Sequence, residues 1–504
     1  MIKDIFIPEK IGNYYIFPKR VIGFDVGKTH VNATQVYLKG DTITIEKFVE
    51  EKLEAGNNNN YAERVAQALK NVLASVDHYN ALYSAIASSS VIFREIKLPF
   101  TVYEKINMVV NFEVEPLLPF SASDAIIDFI ITKTVPEEQG AEILVAAVPK
   151  PQIAEHLQLF AAVEANLQLL TVDFFALYGM YKQIPEYAKL KDGVTLLDLG
   201  SNSTRIAYIH EGQLRFIRTL PKGIFNLAKG ISSILNVQPA QVMENLIRFG
   251  LEKQDNQEYV QAVTQEFTTF WNEIQFTLNS FISQIGPQQV INTILLLGGG
   301  SEIKGLTALI NNLSSISCNR FDATKLLENK NIQLKHTTTI PSSSIMSLST
   351  ALPFPITKHF NLRKNEFSII DKPLFNKQII SAIILAIVII SSLLTHSFLQ
   401  IRKLQYEVVT AEQETITALK ERFKKIEGDR LDDVVDEAQK EVDQEEKLWF
   451  AFSATVRTSF LEYLLELTNK IDKEGLGFEI EKLTMTEDAI TLKANVKDFE
   501  SLKL

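Results

Sequence analysis

VIGFDVGKTHVNATQVYL, residues 21–38, reads as two β-rich apolar runs joined by a turn that carries Asp25, Gly27, Lys28 and Thr29. Val, Ile, Phe and Thr alternate with polar residues on both sides of that turn, as in a half-buried hairpin. Glycine lets such a turn close tightly and brings backbone N–H groups to its surface. The same grammar returns far along the chain. VTLLDLGSNSTRIAYI, residues 194–209, puts Asp198, Gly200, Ser201, Asn202 and Ser203 in a second turn. TILLLGGGSEIKGL, residues 293–306, is an apolar strand followed by Gly298, Gly299, Gly300 and a helix start. Each segment alone is ordinary hairpin or turn chemistry. Their order carries more: two hairpins opening two halves of an α/β chain, with a strand–glycine–helix turn closing the second half, converge backbone N–H groups from both halves on one cleft. Such a cleft suits phosphates or another anion.

A different signal lies further on. Residues 379–399 read IISAIILAIVIISSLLTHSFL, 21 residues without Asp, Glu, Lys or Arg, of which 13 are Ile, Leu, Val or Phe. At about 1.5 Å per residue they span roughly 30 Å, the hydrocarbon thickness of a bilayer. Arg363, Lys364, Lys372 and Lys377 precede this span closely and Arg402 and Lys403 follow it, a basic bias that places the N-terminal side in the cytoplasm. Residues 1–20 contain no continuous apolar run of the signal-peptide kind, so the start of the chain is expected to stay where it is made.

Composition excludes several classes. With 504 residues the chain is long enough for two or three domains, and 46% hydrophobic with 22% charged residues fits neither a disordered chain nor a multi-span transporter. A net charge of -10 argues against a general nucleic-acid binder. The one cysteine, Cys318, allows no internal disulfide and no Cys-based metal centre. The seven histidines are scattered, without a His-x-x-x-His pair, and there is no Gly-x-Ser-x-Gly elbow.

The three turns together resemble the actin-like (ASKHA, ribonuclease H-like) superfamily, in which two hairpin loops straddle nucleotide phosphates and a later Gly-Gly turn flanks the adenosine. Further stretches narrow the resemblance. SSSVIFREIKLPF at 88–100, NFEVEPLLPF at 111–120 and LRFIRTLPKG at 214–223 are similar to the PilM family of type IV pilus proteins, and the related type II secretion protein GspL shares the architecture. The resemblance covers roughly residues 21–322 and implies a two-lobed α/β cytoplasmic domain. It implies either ATP with Mg²⁺ or no cofactor. By resemblance, Asp25 and Asp198 orient a hydrated metal ion, while Gly27, Lys28, Thr29, Gly200 to Ser203 and Gly298 to Gly300 line the nucleotide. PilM-like sequences carry a Lys in the first hairpin where this chain has Asn32, which weakens the case for tight ATP binding. No hydrolytic residue is assigned, so catalysis is not expected.

The piece His359-Phe360-Asn361-Leu362 is similar to the short Asn-Leu motif by which the membrane protein PilN docks onto PilM, so both would be joined in one chain. An extended segment laid in a groove, with Phe360 and Leu362 filling pockets and Asn361 between them, is the expectation; a plain juxtamembrane linker is the alternative. Beyond the span, Ile401, Leu404, Val408, Ala411, Leu419, Phe423 and Ile426 recur at helical spacing, a coiled-coil-like helix that wants a partner. The acidic run 429–446 reads as a solvated helix or connector. A helix at 453–471, strands at 477–485 and 489–496 and a helix start at Lys497 resemble part of the ferredoxin-like periplasmic domain of PilN or GspL.

The expected domains are an actin-like part at 1–350, a juxtamembrane segment with the docking motif at 351–378, a transmembrane helix at 379–399, a periplasmic stalk at 400–450 and a partial ferredoxin-like domain at 451–504. The whole resembles a PilM/PilN-type fusion, a single-pass bacterial inner-membrane scaffold with its C-terminus in the periplasm. The partners implied are a cytoplasmic motor ATPase and PilO/GspM-like and PilC/GspF-like subunits, with homo- or hetero-dimers through the stalk. The alternatives are an anchored actin-superfamily ATPase or phosphotransferase, and an FtsA-like cell-division filament protein. The latter attaches by a C-terminal amphipathic helix rather than an apolar span.

Overall fold

The computed structural model describes residues 9–12, 14–54, 60–76, 78–135, 140–251, 257–285, 290–336, 338–352, 360–369, 372–449, 454–470, 479–485 and 490–495. His359 and the helix start at Lys497 lie outside them. The chain divides into two compact units, Met1–Ala382 and Ile383–Leu504.

The first unit is built around a duplication. Its first lobe begins with β1 (Lys10–Ile11), β2 (Tyr14–Val26), β3 (His30–Gly40) and β4 (Thr42–Lys52), then α1 (Tyr61–Ala74) and β5 (Ala81–Ile86). An insertion follows: β6 (Ile92–Leu98), α2 (Tyr103–Val114), β7 (Ala125–Val135) and β8 (Gly140–Pro149), which form a separate antiparallel sheet in the order β6-β8-β7. The main lobe resumes with α3 (Lys150–Ala161), β9 (Leu167–Val172), α4 (Asp173–Gln183) and α5 (Pro185–Ala188). The second lobe contains β10 (Val194–Leu199), β11 (Thr204–His210), β12 (Gln213–Leu220), α6 (Ile224–Leu235), α7 (Pro239–Phe249), α8 (Gln257–Ile285), β13 (Thr293–Leu297), α9 (Leu306–Ser314) and β14 (Ser317–Arg320). The chain then returns to the first lobe through β15 (Ile332–Leu334) and α10 (Ile345–Ala351).

Both main sheets have one topology. In the first, β4-β3-β2-β5-β9 runs as an antiparallel meander continued by parallel strands, with β15 added beside β4; in the second, β12-β11-β10-β13-β14 repeats that order and those directions. This is the duplicated architecture expected of an actin-like chain. All six residues of β10, VTLLDL, are buried. A near-continuous apolar run covered on both faces marks a central strand, and Asp198 is its one charged residue. The first nine residues of α4 are likewise buried in succession, so this helix lies inside the unit rather than on its surface.

A second element proves to be core. All seven residues of α10 are buried, Ser347 Oγ and Thr34 Oγ1 share a hydrogen bond of 2.8 Å, and a Cβ on Gly23 would lie 2.4 Å from the Ala351 nitrogen. Glycine on β2 and small side chains on α10 therefore let helix and strand backbones approach closely.

Helix α11 (Lys372–Arg422) is continuous over 51 residues, about 77 Å at 1.5 Å per residue. Within it, residues 378–422 include an 18-residue window of mean hydropathy 2.5, with none of that window buried. In the second unit, Ile416, Leu419 and Phe423 pack against Ile426, Val434 and Ala438, so α12 (Leu431–Trp449) folds back on the end of α11. The apolar stripe foreseen beyond the span thus divides. Its lower part is covered by this chain's own acidic helix, while Ile401, Leu404 and Val408 remain more than half exposed. The remaining described elements are α13 (Ala454–Lys470) and the antiparallel pair β16 (Glu479–Met485) and β17 (Ile490–Asn495).

Candidate functional site

The Gly298 turn lies beside Asp198, and Asp25 of the first turn lies within electrostatic reach of Asp198 and Arg205. In the β2–β3 hairpin Asp25 faces Asn32 directly, and in the β10–β11 hairpin Asp198 faces Arg205. Directly opposed residues on antiparallel strands share a face, so each hairpin presents an aspartate and a polar partner to the cleft. Gly298 closes the site from β13. Its φ of 76° suits glycine, and a Cβ there would lie 2.1 Å from Asp198 Oδ1. Gly298→Ala is therefore expected to destabilise the first unit by about 2–3 kcal/mol through φ strain and displacement of Asp198. Urea unfolding followed by the fluorescence of buried Trp271, in a Trp449→Phe background, measures it.

One amide in each hairpin turn is already engaged. Gly27 N–H donates to the His30 carbonyl at 2.9 Å and Gly200 N–H to the Ser203 carbonyl at 3.1 Å. At the start of α6, Ile224 and Phe225 N–H donate to the carbonyls of Gly200 and Ser201 at 3.0 and 2.8 Å. Gly223 makes that approach possible, since its Cβ would fall 2.4 Å from the Gly200 oxygen. Lys28, Thr29, Ser201 and Asn202 are exposed at the turn tips, whereas Ser203 is half-buried. Gly300 is buried; Ser301 N–H and Oγ donate to the Gly298 carbonyl at 3.0 and 2.6 Å.

Two residues that the sequence reading did not single out hold the centre of the cleft. Asp173, at the junction of β9 and α4, accepts from Ser88 Oγ, from Ser88 N–H at 3.0 Å and from Phe174 N–H at 2.6 Å through one oxygen. Its other oxygen pairs with Arg205, whose second terminal nitrogen pairs with Asp198. The side chains of Arg205, Asp173 and Asp198 are 16%, 4% and 2% exposed. One guanidinium thus joins an acid of the first lobe to an acid of the second. The signals were an acid ending the apolar run LQLLTV and the seven-residue spacing common to Asp25/Asn32 and Asp198/Arg205.

Charge in the cleft is unevenly relieved. Burial pushes the Asp25 carboxyl up to about 6; Arg205 pulls it back, Asp173 and Asp198 add to the rise, and a hydrogen bond from Asn32 lowers it. Burial also raises Asp198 against the opposing pull of Arg205. For Arg205 itself burial disfavours the charge, but Asp198, Asp173 and Asp25 outweigh it and hold the group above the usual arginine range. Asp25 has a folded value above its unfolded one, so its contribution to stability is fully present below pH 4 and is lost as pH rises through about 6. At about 1.4 kcal/mol per pH unit the loss is on the order of 2–3 kcal/mol. Asp25→Asn is expected to match the parent chain near pH 4 and to exceed it in stability above pH 6.5, measured by urea unfolding at both values.

The Phe360-Asn361-Leu362 segment lies along β9. Phe360 and Leu362 are fully buried, and Phe360 meets Phe175 edge-on with ring centroids 4.6 Å apart. Asn361 Oδ1 accepts from Leu170 N–H at 3.2 Å, and Leu362 N–H donates to the Leu170 carbonyl at 2.7 Å. Asp128, buried in β7, accepts from Asn361 N–H at 3.1 Å and pairs with Lys364 at 2.7 Å. Burial raises the Asp128 carboxyl, opposed by Lys364 and by the Asn361 and Phe129 amides.

The profile of the family described as type IV pilus assembly protein PilM matches residues 23–347. The chain belongs to the PilM family. Among solved structures, the PilM-PilN type IV pilus biogenesis complex is similar at 19% identity and a TM-score of 0.55, over 66% of this chain and 97% of that one. That likeness agrees with the fold. The cytoplasmic domain of EpsL, an inner-membrane component of the Vibrio cholerae type II secretion system, is similar at 9% identity and a TM-score of 0.34, covering 69% and 100%. MreB5 of Spiroplasma citri bound to ADP is similar at 10% identity and a TM-score of 0.37, covering 66% and 95%. No curated protein matches the sequence.

The PilM-family cleft can be tested against the nucleotide–Mg²⁺ pair that its resemblance implies. Its glycine turns fit close approach of an anion, and Lys28 supplies a positive charge at one turn tip. The acids fit a hydrated divalent ion poorly, because Asp173 and Asp198 already share an internal cation. Among the described residues no group of three or more His, Cys, Asp or Glu forms a metal cluster elsewhere.

Proposed function

We propose that this PilM-family protein is a scaffold of a type IV pilus or type II secretion assembly platform, with the PilM-like body and a PilN-like membrane anchor fused in one chain. The observation that carries the reading is the buried Phe360-Asn361-Leu362 segment, seated on the PilM-like body just before an exposed apolar helix. The body works in the cytoplasm, α11 crosses the inner membrane, and α12, α13 and the β16–β17 hairpin stand in the periplasm. The two-lobed body transmits contact with a motor ATPase, while Ile401, Leu404 and Val408 on α11 pair with a second platform subunit of the PilO/GspM kind. Binding and transmission, not catalysis, are its task.

Pull-down of the detergent-solubilised full chain followed by mass spectrometry is expected to recover a motor ATPase and platform membrane subunits. Recovery of neither sinks the reading. Topology is checked separately. Cys318 is buried and burial pushes its thiol up to about 12, so labelling needs introduced cysteines in a Cys318→Ser chain. A membrane-impermeant maleimide is expected to reach Gln413→Cys but not Ala62→Cys in spheroplasts; the reverse pattern would invert the proposed orientation.

One observation favours the anchored-ATPase alternative. Asp25, raised to about 6, has the basicity of a group that could accept a proton near neutrality. Steady ATP turnover by the purified chain, lost on Asp25→Asn, would establish it; under the scaffold reading turnover stays at background.

A further inference from the structure

We infer that Arg205 permanently occupies the cation position of the cleft and ties the two lobes together from within, so that the cleft takes no divalent metal. This inference goes beyond the scaffold reading and stands or falls independently of it.

Four observations converge. Arg205 lies directly opposite Asp198 in the β10–β11 register, so its side chain enters the cleft from the same hairpin as the acid that resemblance assigns to the metal. Its two terminal nitrogens are divided between lobes, one on Asp173 and one on Asp198. A planar fork can hold two carboxylates at once, as a single ammonium point charge cannot. Three of the four oxygens that Asp173 and Asp198 would offer a hydrated ion are committed as well. Asp173 gives one oxygen to Ser88 and Phe174 and the other to Arg205. Asp198 gives one to Arg205, and only its other oxygen, beside Gly298, is left without a cation. The remaining acid, Asp25, has Asn32 as its hairpin partner, and one carboxylate does not make a site for a hard cation that takes six or more oxygens.

The consequence concerns shape. Where a phosphate–metal pair would draw two lobes together only when bound, here a fixed ion pair spans them continuously. The body therefore presents a single closed form to its partners.

Mn²⁺ is the probe, read by the loss of its free-ion paramagnetic resonance signal on adding the full-length protein in nanodiscs, with and without ADP. The parent chain is expected to leave the signal at the level of a protein-free control containing the same ADP. Arg205→Asn, shown to be folded by native Trp271 emission, is expected to take up one Mn²⁺ per chain at least about tenfold more tightly than the parent chain. Arg205→Lys keeps the charge and should still exclude the ion. Should Arg205→Asn not fold, Arg205→Gln combined with Asp173→Asn removes one charge of each sign and leaves Asp25 and Asp198 to bind. Stoichiometric Mn²⁺ uptake by the parent chain would overturn the inference, as would a folded charge-removed variant that binds no more Mn²⁺ than the parent.

Discussion

Arg205→Ala is expected to lower the unfolding free energy of the first unit by about 3–5 kcal/mol, the range for removing one partner from a buried ion pair. The loss comes less from the vanished attraction than from what remains. Asp173 and Asp198, 4% and 2% exposed in the intact chain, would be left in different lobes with no positive group between them. Relaxation is restricted on both sides: Asp173 is pinned by Ser88 and Phe174, and Asp198 stands in a strand whose residues are all buried. Arg205→Lys should be milder, about 2 kcal/mol, since an ammonium can satisfy one acid but not both. Coupling gives the sharper check. Asp173→Asn combined with Arg205→Ala should cost measurably less than the sum of the two single changes, because neighbours within one charge network do not add. Urea unfolding of the Trp449→Phe chain, followed at Trp271, reads all four variants. Additivity within about 0.5 kcal/mol would mean that the three groups do not act together.

How the triad escaped a linear reading shows where the sequence speaks. The hairpins were legible because their signals are local: alternating apolar residues, then Asp-x-Gly within one turn. Duplicated lobes followed from finding that grammar twice. Arg205 stood inside the quoted second hairpin, yet its role depends on Asp173, an acid 32 residues earlier in the other lobe. Nothing local in LQLLTVD announces that partnership, and only the folded sheets bring it about. Residues 345–351 carry a packing role that no local pattern announces. Their small side chains serve a close approach to Gly23 on β2, with Ser347 hydrogen-bonded to Thr34. Small polar residues mark loops and tight helix–strand contacts alike. The stalk followed the helical period, but its period could not say that acidic α12 would cover Leu419 and Phe423 while leaving Ile401 and Leu404 exposed.

Phe360→Ala is expected to release residues 360–364 from the body at a local cost of about 3–5 kcal/mol, the range for truncating a buried phenylalanine. The side chain is fully buried and packs edge-on against Phe175, so the cavity left behind adjoins the buried helix α4. Polar costs follow the apolar one. When the segment lifts, Leu170 N–H loses the Asn361 side chain, and buried Asp128 loses both the Asn361 amide and Lys364. An unpaired buried carboxylate is expensive, so docking should be cooperative rather than frayed residue by residue. Hydrogen exchange separates release from general damage. Amide protection at Leu170 and Leu362 should fall by at least a hundredfold, equivalent to about 2.7 kcal/mol, while that at Leu196 in β10 stays unchanged. A synthetic peptide spanning residues 357–367 should restore Leu170 protection in the Phe360→Ala chain yet fail to displace the intact segment in the parent. Tethering gives the intact segment an effective concentration in the millimolar range that a free peptide must exceed. Parallel loss of protection at Leu170 and Leu196 would instead make the segment an inseparable part of the core, and the idea of a partner motif captured within its own chain would fail.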